Sequence, residues 1–147
     1  MDIRLYLCGS VVGRSARETR EEREAAAAAV RSHGWQPVDP IAGEYAAQVG
    51  KRKVSDGDSG LSATTVALKD RWLIDRCDIL LWLTADRATY GSCIEVGYAW
   101  AKGITIVAVD PAQTGRRSAF VEHCCTFIAD DLEQALQFIE NFLAGAS

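Results

Sequence analysis

The stretch YGSCIEVGYAWAKG, residues 90–103, holds a single acid, Glu95, in an otherwise apolar run that closes on a glycine. Two kinds of chemistry compete for that carboxylate. Ser92 and Glu95 have the S-x-x-E spacing of a capping box, in which the glutamate folds back onto the N-cap amide of its own helix. Alternatively, a rigid helix presents Glu95 as a reactive group at the mouth of a pocket. A carboxylate in the first turn is expected to stay ionised, because the helix dipole and free amides favour its negative form. A nucleophile needs that same state, so the two roles do not exclude each other.

Three further stretches carry reactive side chains. Asp70 stands in ALKDRWLIDRCD with Asp75 and Asp78 close behind. Each has an innocent reading, as a solvated helical aspartate or, for Asp78, as a turn residue ahead of a strand. CGSVVGRSA, residues 8–16, has neither the G-x-x-x-x-G-K-[ST] nor the G-x-G-x-x-G spacing. Gly9 and Gly13 nevertheless let backbone approach a ligand, and Ser10, Arg14 and Ser15 precede a helix N-terminus, which favours an anion. A plain glycine turn with a serine N-cap explains the same residues. TADRATYGS, residues 84–92, offers the hydroxyls of Thr89, Tyr90 and Ser92.

The elements that must position these groups alternate regularly. IRLYLCG, ILLWL within DILLWLT, and ITIVAV are short runs apolar on both faces, the mark of buried parallel strands. WQPVDP adds a short strand whose prolines suit a sheet edge, and TFIA a last one. Between them lie SARETREEREAAAAAVRSHG, rich in helix formers and stopping at Gly34, and ATTVALKDRWLIDRC, with Val66, Trp72, Leu73 and Ile74 as its apolar positions. The Glu95 segment reads as a third helix, apolar all round from 93 to 101. DLEQALQFIENFLAG closes the chain as an amphipathic helix with Leu132, Leu136, Ile139 and Leu143 on one face. Residues 41–62, including the basic cluster GKRK, have no periodicity and read as a long mobile loop of the kind that forms lids.

This alternation calls for one α/β domain over 1–147, a doubly wound five-stranded parallel sheet flanked by helices, flavodoxin- or Rossmann-like. Right-handed crossovers then gather ligand-binding groups at the carboxyl ends of the strands.

At 147 residues the chain can bury one real core. Its net charge of −4 argues against binding a nucleic acid polymer or an anionic membrane. No apolar stretch is long enough to span a bilayer. The five cysteines include no C-x-x-C pair and the two histidines are far apart, so no zinc site is expected. An odd cysteine count without a leader suits a reducing cytoplasm.

The run from Asp70 through IDRCDILLWL to YGSCIEVGYAWAKGITIVAV, together with the opening IRLYLCGS, resembles the nucleoside 2-deoxyribosyltransferase superfamily. That group includes 2'-deoxynucleoside 5'-phosphate N-hydrolases and CMP N-glycosidases. The likeness is specific over residues 3–10 and about 65–109, above all in G-[ST]-x-x-E-[VI]-G-[YW]-A from Gly91. It implies that Glu95 attacks C1' of the sugar and displaces the base, giving a covalent glycosyl-enzyme. It implies that Asp70 is the acidic partner, that Tyr6 orients the nucleophile, and that Cys8, Gly9, Ser10, Arg14, Thr89, Gly91 and Ser92 line the substrate site. No cofactor is implied.

Departures from the transferase pattern bear on the acceptor. Thr89 stands where transferases carry a base-reading aspartate, and the hydrolases hold a 5'-phosphate with a hydroxyl there. YLCGS is closer to the hydrolases, Ser118 lies near their phosphate serine from a neighbouring subunit, and LAGAS offers no match to the transferases' C-terminal group. Against this, Val12 replaces an arginine of the hydrolases' first loop, which Arg14 would have to replace. The expectation tends toward a nucleoside 5'-monophosphate, with hydrolysis at least as expected as transfer, in a homodimer or larger oligomer. The rival is a non-catalytic nucleotide-binding sensor or scaffold.

Overall fold

A computed structural model describes residues 2–9, 15–41, 63–84, 89–113 and 118–146. Five strands form one sheet: β1 (Arg4–Gly9), β2 (Gln36–Val38), β3 (Ile79–Leu83), β4 (Thr105–Val109) and β5 (Phe127–Ala129). All pairings are parallel, in the order β2-β1-β3-β4-β5. The proline-bearing β2 takes one edge and the short β5 the other, where missing ladder donors cost least.

Among the described residues, four helices lie between the strands, α1 (Ala16–Ser32), α2 (Ala63–Ile74), α3 (Tyr90–Ala101) and α4 (Ala119–Cys124), and α5 (Leu132–Gly145) follows the last strand. Ser15 caps α1 in a full capping box with Glu18, so the serine N-cap expected from the sequence is present. The six-residue α4 was not expected; it lies in what read as a loop.

Strand side chains alternate between faces, and that sorts the core into two halves. Leu5, Leu7, Leu81 and Val107 pack on one face with Ala26 and Val30 of α1 and with Leu136 and Ile139 of α5. Tyr6, Cys8, Leu80, Trp82, Ile106 and Ala108 turn to the other face, against Ile74 of α2 and Val96 and Ala99 of α3. This doubly wound arrangement is the expected one. β1 is flanked by both β2 and β3, so the strand order reverses there, the switch point at whose carboxyl end sheets of this kind bind ligands.

Two helix faces depart from the sequence reading. Trp72 is exposed, its ring under the Arg76 guanidinium at 3.7 Å, rather than a core position. Ile94 and Trp100 of α3 are also exposed, so this helix is apolar all round without being buried all round. Apart from Ile41, the 41–62 loop lies outside the described residues, as do Ser10, Gly13 and Arg14.

Candidate active site

Tyr6 and Cys8 are two residues apart on β1, so both point to the face that α3 covers. α3 returns over β1 with Glu95 in its second turn. The Tyr6 hydroxyl donates to Glu95 Oε1 at 2.9 Å, and the Cys8 thiol donates to Oε2 at 3.0 Å. Each carboxylate oxygen thus has its own donor, and both donors come from the strand rather than from the helix that carries the acid.

This corrects the capping expectation. α3 begins earlier than the S-x-x-E spacing requires, with Thr89 as its N-cap. Ser92 makes the return bond instead: Thr89 N donates to Ser92 Oγ at 3.2 Å, and that hydroxyl donates to Thr89 O at 3.0 Å. Glu95 is left over for the sheet. The electrostatic expectation changes too. Burial pushes the Glu95 pKa up, with Asp70 adding to the rise, while the Cys8 and Tyr6 hydrogen bonds and Arg23 pull it down. Desolvation outweighs the dipole because the carboxyl lies beyond the free amides of the first turn.

Asp70 comes from α2, which packs beside α3 on the same face, and it raises the pKa of both Glu95 and Tyr6. Its own pKa is raised by burial, against the pull of Lys69 and Arg23. Lys69 Nζ forms an ion pair with Asp70 Oδ1 at 3.4 Å, and its ammonium donates to the Pro40 carbonyl. Oδ1 is buried without a hydrogen-bond donor among the described residues. Tyr6 is fully buried, and burial with Glu95 and Asp70 nearby drives its ionisation far above the ordinary phenol range. It is a permanent donor. Burial and Glu95 likewise hold Cys8 as a thiol.

The structure brings Tyr6, Cys8, Asp70 and Glu95 together. Gly9 ends β1, where an added Cβ would meet Leu83 O at 3.0 Å, so its lack of a side chain serves strand packing. Thr89, Gly91 and Ser92 form the first turn of the Glu95 helix, and the Ser92 hydroxyl is spent on that turn. Ser118 caps α4, accepting from Val121 N at 3.5 Å. Asp75 and Asp78 take the innocent readings: Asp75 accepts from the Tyr98 hydroxyl and pairs with Lys102, and Asp78 accepts from Arg4 N. Among the described residues no His, Cys, Asp and Glu group could hold a metal, and no helix is long and apolar enough to cross a membrane.

Sequence reading missed Arg23. This residue of α1 is only 4% exposed. It donates to Leu7 O (2.8 Å), Gly9 O (3.2 Å) and Asp39 Oδ1 (2.9 Å), clamping the carboxyl end of β1 to the segment after β2. Its charge lowers the pKa of Cys8, Asp70 and Glu95 alike. The one available signal was an arginine at the edge of the alanine run, and amphipathic charge patterning hides it among its neighbours.

Two solved structures share this architecture. The CMP N-glycosidase BcmB of Clostridium botulinum aligns with a TM-score of 0.55 at 16% identity, covering 95% of this chain and 98% of that one. The molybdenum cofactor binding protein of the phototrophic bacterium Rippkaea orientalis aligns with a TM-score of 0.63 at 14% identity, covering 97% and 98%. Identities this low establish a common fold. No curated protein sequence matches the chain. The family model for nucleoside 2-deoxyribosyltransferase matches residues 5–130, a span that takes in the sheet but for Arg4 and all four of the gathered side chains, and the chain therefore belongs to that family.

Proposed function

We propose that this protein cleaves the N-glycosidic bond of a (deoxy)nucleoside or its 5'-monophosphate through a covalent glycosyl-enzyme on Glu95. The observation that carries the reading is the asymmetry of the two acids. Glu95 has a hydrogen-bond donor on each oxygen, which favours its ionised form, whereas Asp70 Oδ1 is buried without one among the described residues and has only the Lys69 ammonium at 3.4 Å as a counter-charge. When two acids share a site and one proton, we assign the proton to the one whose charged form accepts fewer hydrogen bonds. Glu95 is then the nucleophile and Asp70 the acid.

In the first step a Glu95 oxygen bonds to C1' as the C1'–N bond breaks. The electron pair leaves with the base, which takes the Asp70 proton. In the second step water, or the nitrogen of another base, bonds to C1' as the Glu95–C1' bond breaks and its electron pair returns to Glu95. The entering group's proton restores Asp70. Two displacements of this kind retain configuration.

Hydrolysis of a nucleoside 5'-monophosphate is the favoured variant. Thr89, the half-buried N-cap of α3, supplies a hydroxyl at a helix N-terminus, where a phosphate is stabilised. We further place the chain in a homodimer or larger oligomer. Leu68 and Trp72 of α2 and Tyr90 and Ile94 of α3 are large, exposed and apolar, and they continue the layer that carries both acids. In that assembly Ser118 of the partner subunit would reach the phosphate.

The test incubates the protein with deoxynucleosides, ribonucleosides and their monophosphates, with and without a free acceptor base, and quantifies released base. Release without acceptor identifies a hydrolase; release only with acceptor identifies a transferase. Denaturing mass spectrometry of quenched reactions should find a sugar-sized adduct on wild type and none on Glu95→Gln. Binding without turnover of any substrate would instead favour a non-catalytic nucleotide-binding sensor or scaffold.

A further inference from the structure

We propose that Cys8 is a positioning residue for Glu95, holding Oε2 in place and keeping the carboxyl ionised from behind, rather than a residue that touches substrate. The inference deepens the proposed function and rests on it for its catalytic consequence, though the Cys8–Glu95 coupling is measurable without any substrate.

Three observations carry it. Cys8 is fully buried, in the same core cluster as Trp82 and Val96, so its thiol presents no surface to solvent. Its thiol reaches Glu95 Oε2 at 3.0 Å and lies 3.7 Å from Ser92 O, so it is wedged between the carboxyl and the backbone of the α3 turn that carries it. Finally, the other carboxylate oxygen already has the stronger Tyr6 hydroxyl. With one donor on each oxygen the carboxyl plane is fixed. A thiol is a weak donor, so Oε2 is steadied while keeping more of its electron density than Oε1. A hydroxyl there would bind the carboxylate more firmly, and an apolar side chain would not bind it at all.

The measurement reads Glu95 directly. Wild type, Cys8→Ala, Cys8→Ser and Glu95→Gln are labelled with ¹³Cδ glutamate, the Glu95 resonance is assigned from its loss in Glu95→Gln, and its titration is followed without substrate. Rates against pH are collected on the same proteins. In Cys8→Ala the Glu95 midpoint should rise by about one unit, because a hydrogen bond to the charged form is gone. The acid limb of kcat/KM should move with it, lowering kcat/KM about tenfold on the acid side, while KM changes less than twofold. Cys8→Ser should restore the midpoint to the wild-type value or below. If Cys8→Ala does not fold, Cys8→Val fills the space without a donor and carries the same expectation. An unchanged Glu95 midpoint in a folded donorless variant would overturn the proposal, as would an activity loss that Cys8→Ser does not relieve. A shifted midpoint in a protein that turns over no nucleoside would uphold the coupling and count against the enzymatic reading alone.

Discussion

The Tyr6 hydroxyl and Glu95 Oε1 meet at 2.9 Å across a separation of 89 residues. A buried phenol that cannot ionise donates to a carboxylate whose own pKa burial has raised. The bond therefore favours the charged form that burial opposes. Tyr6→Phe keeps the ring packing and removes only the donor. Glu95 should then titrate higher, moving the acid limb of the rate profile upward. Hydrogen bonds to charged groups contribute about 1.5–3 kcal/mol, so kcat/KM should fall roughly tenfold to a hundredfold near neutral pH. A Tyr6→Phe profile that overlays wild type would mean the hydroxyl serves packing only.

Glu95→Gln separates activity from stability. The folded-state pKa of Glu95 lies above the ordinary value. Between those two values the folded chain holds a proton that the unfolded chain has lost, so stability falls as pH rises through that window. At pH 7 wild type bears the penalty of a buried charge, and the neutral amide does not: its carbonyl oxygen still accepts from one of Tyr6 and Cys8, while its NH2 faces the other as a donor. The variant should lose at least about a thousandfold in turnover and gain on the order of 1 kcal/mol, or roughly 2–4 °C in Tm. That gain should shrink below the ordinary carboxylate pKa. Thermal melts at pH 7 and pH 4 check it, and a variant less stable than wild type at pH 7 would contradict the sign.

Asp70 governs the opposite limb. Burial raises its pKa, and an acid that must be protonated loses activity as pH rises through that raised value. Wild type should follow a bell, with Glu95 setting the acid side and Asp70 the alkaline side. Asp70→Asn cannot give a proton, so its rates should drop about 10²–10⁴-fold and lose their alkaline fall. Substrates whose bases leave easily should suffer least. A retained alkaline limb in Asp70→Asn would assign it to another group.

How far the sequence reached depends on the range of the signal. Unbroken apolar runs such as ILLWL identify buried parallel strands, because only a sheet covered on both faces makes every residue apolar, and all five strands were legible. The pairing of Tyr6 and Cys8 with Glu95 was only partly so. Local spacing favoured the Ser92–Glu95 box, but the helix starts at Tyr90 and Ser92 takes the return bond, a one-turn offset that no propensity encodes. Trp72 and Ile94 fit a helical core pattern, yet they face outward because periodicity gives a face and not its partner. Arg23 was invisible for the opposite reason: its partners are backbone carbonyls of β1, which leave no trace in residue types.

That clamp has a measurable consequence. Arg23→Met would leave the Leu7 and Gly9 carbonyls and Asp39 facing an apolar side chain. Removing one partner of a buried charged pair costs about 3–5 kcal/mol. For a chain of this size that is a drop of roughly 6–20 °C in Tm, and calorimetry should find it. Arg23→Lys can satisfy one carbonyl or Asp39 but not the fork, and should fall between. Because Arg23 also lowers the pKa of Glu95 and Asp70, both limbs of the rate profile should shift upward in whichever variant folds. A Met variant as stable as wild type would mean the carbonyls find other donors.

The apolar face of α2 and α3 ties assembly to activity. Tyr90 and Ile94 are one turn apart on α3, and Leu68 and Trp72 one turn apart on α2, so each pair forms a stripe. These stripes lie on the helices that carry Glu95 and Asp70. Ile94→Glu places a charge in the middle of the face without touching either acid's described partners. Sedimentation should find wild type as a dimer or larger and the variant as a monomer of unchanged secondary structure. If the partner's Ser118 completes a phosphate site, the monomer should lose affinity for nucleoside monophosphates while its turnover of free nucleosides falls less. A wild-type chain that sediments as a monomer at catalytic concentrations would remove the interface. Equal losses on both substrate classes would remove only the shared phosphate site.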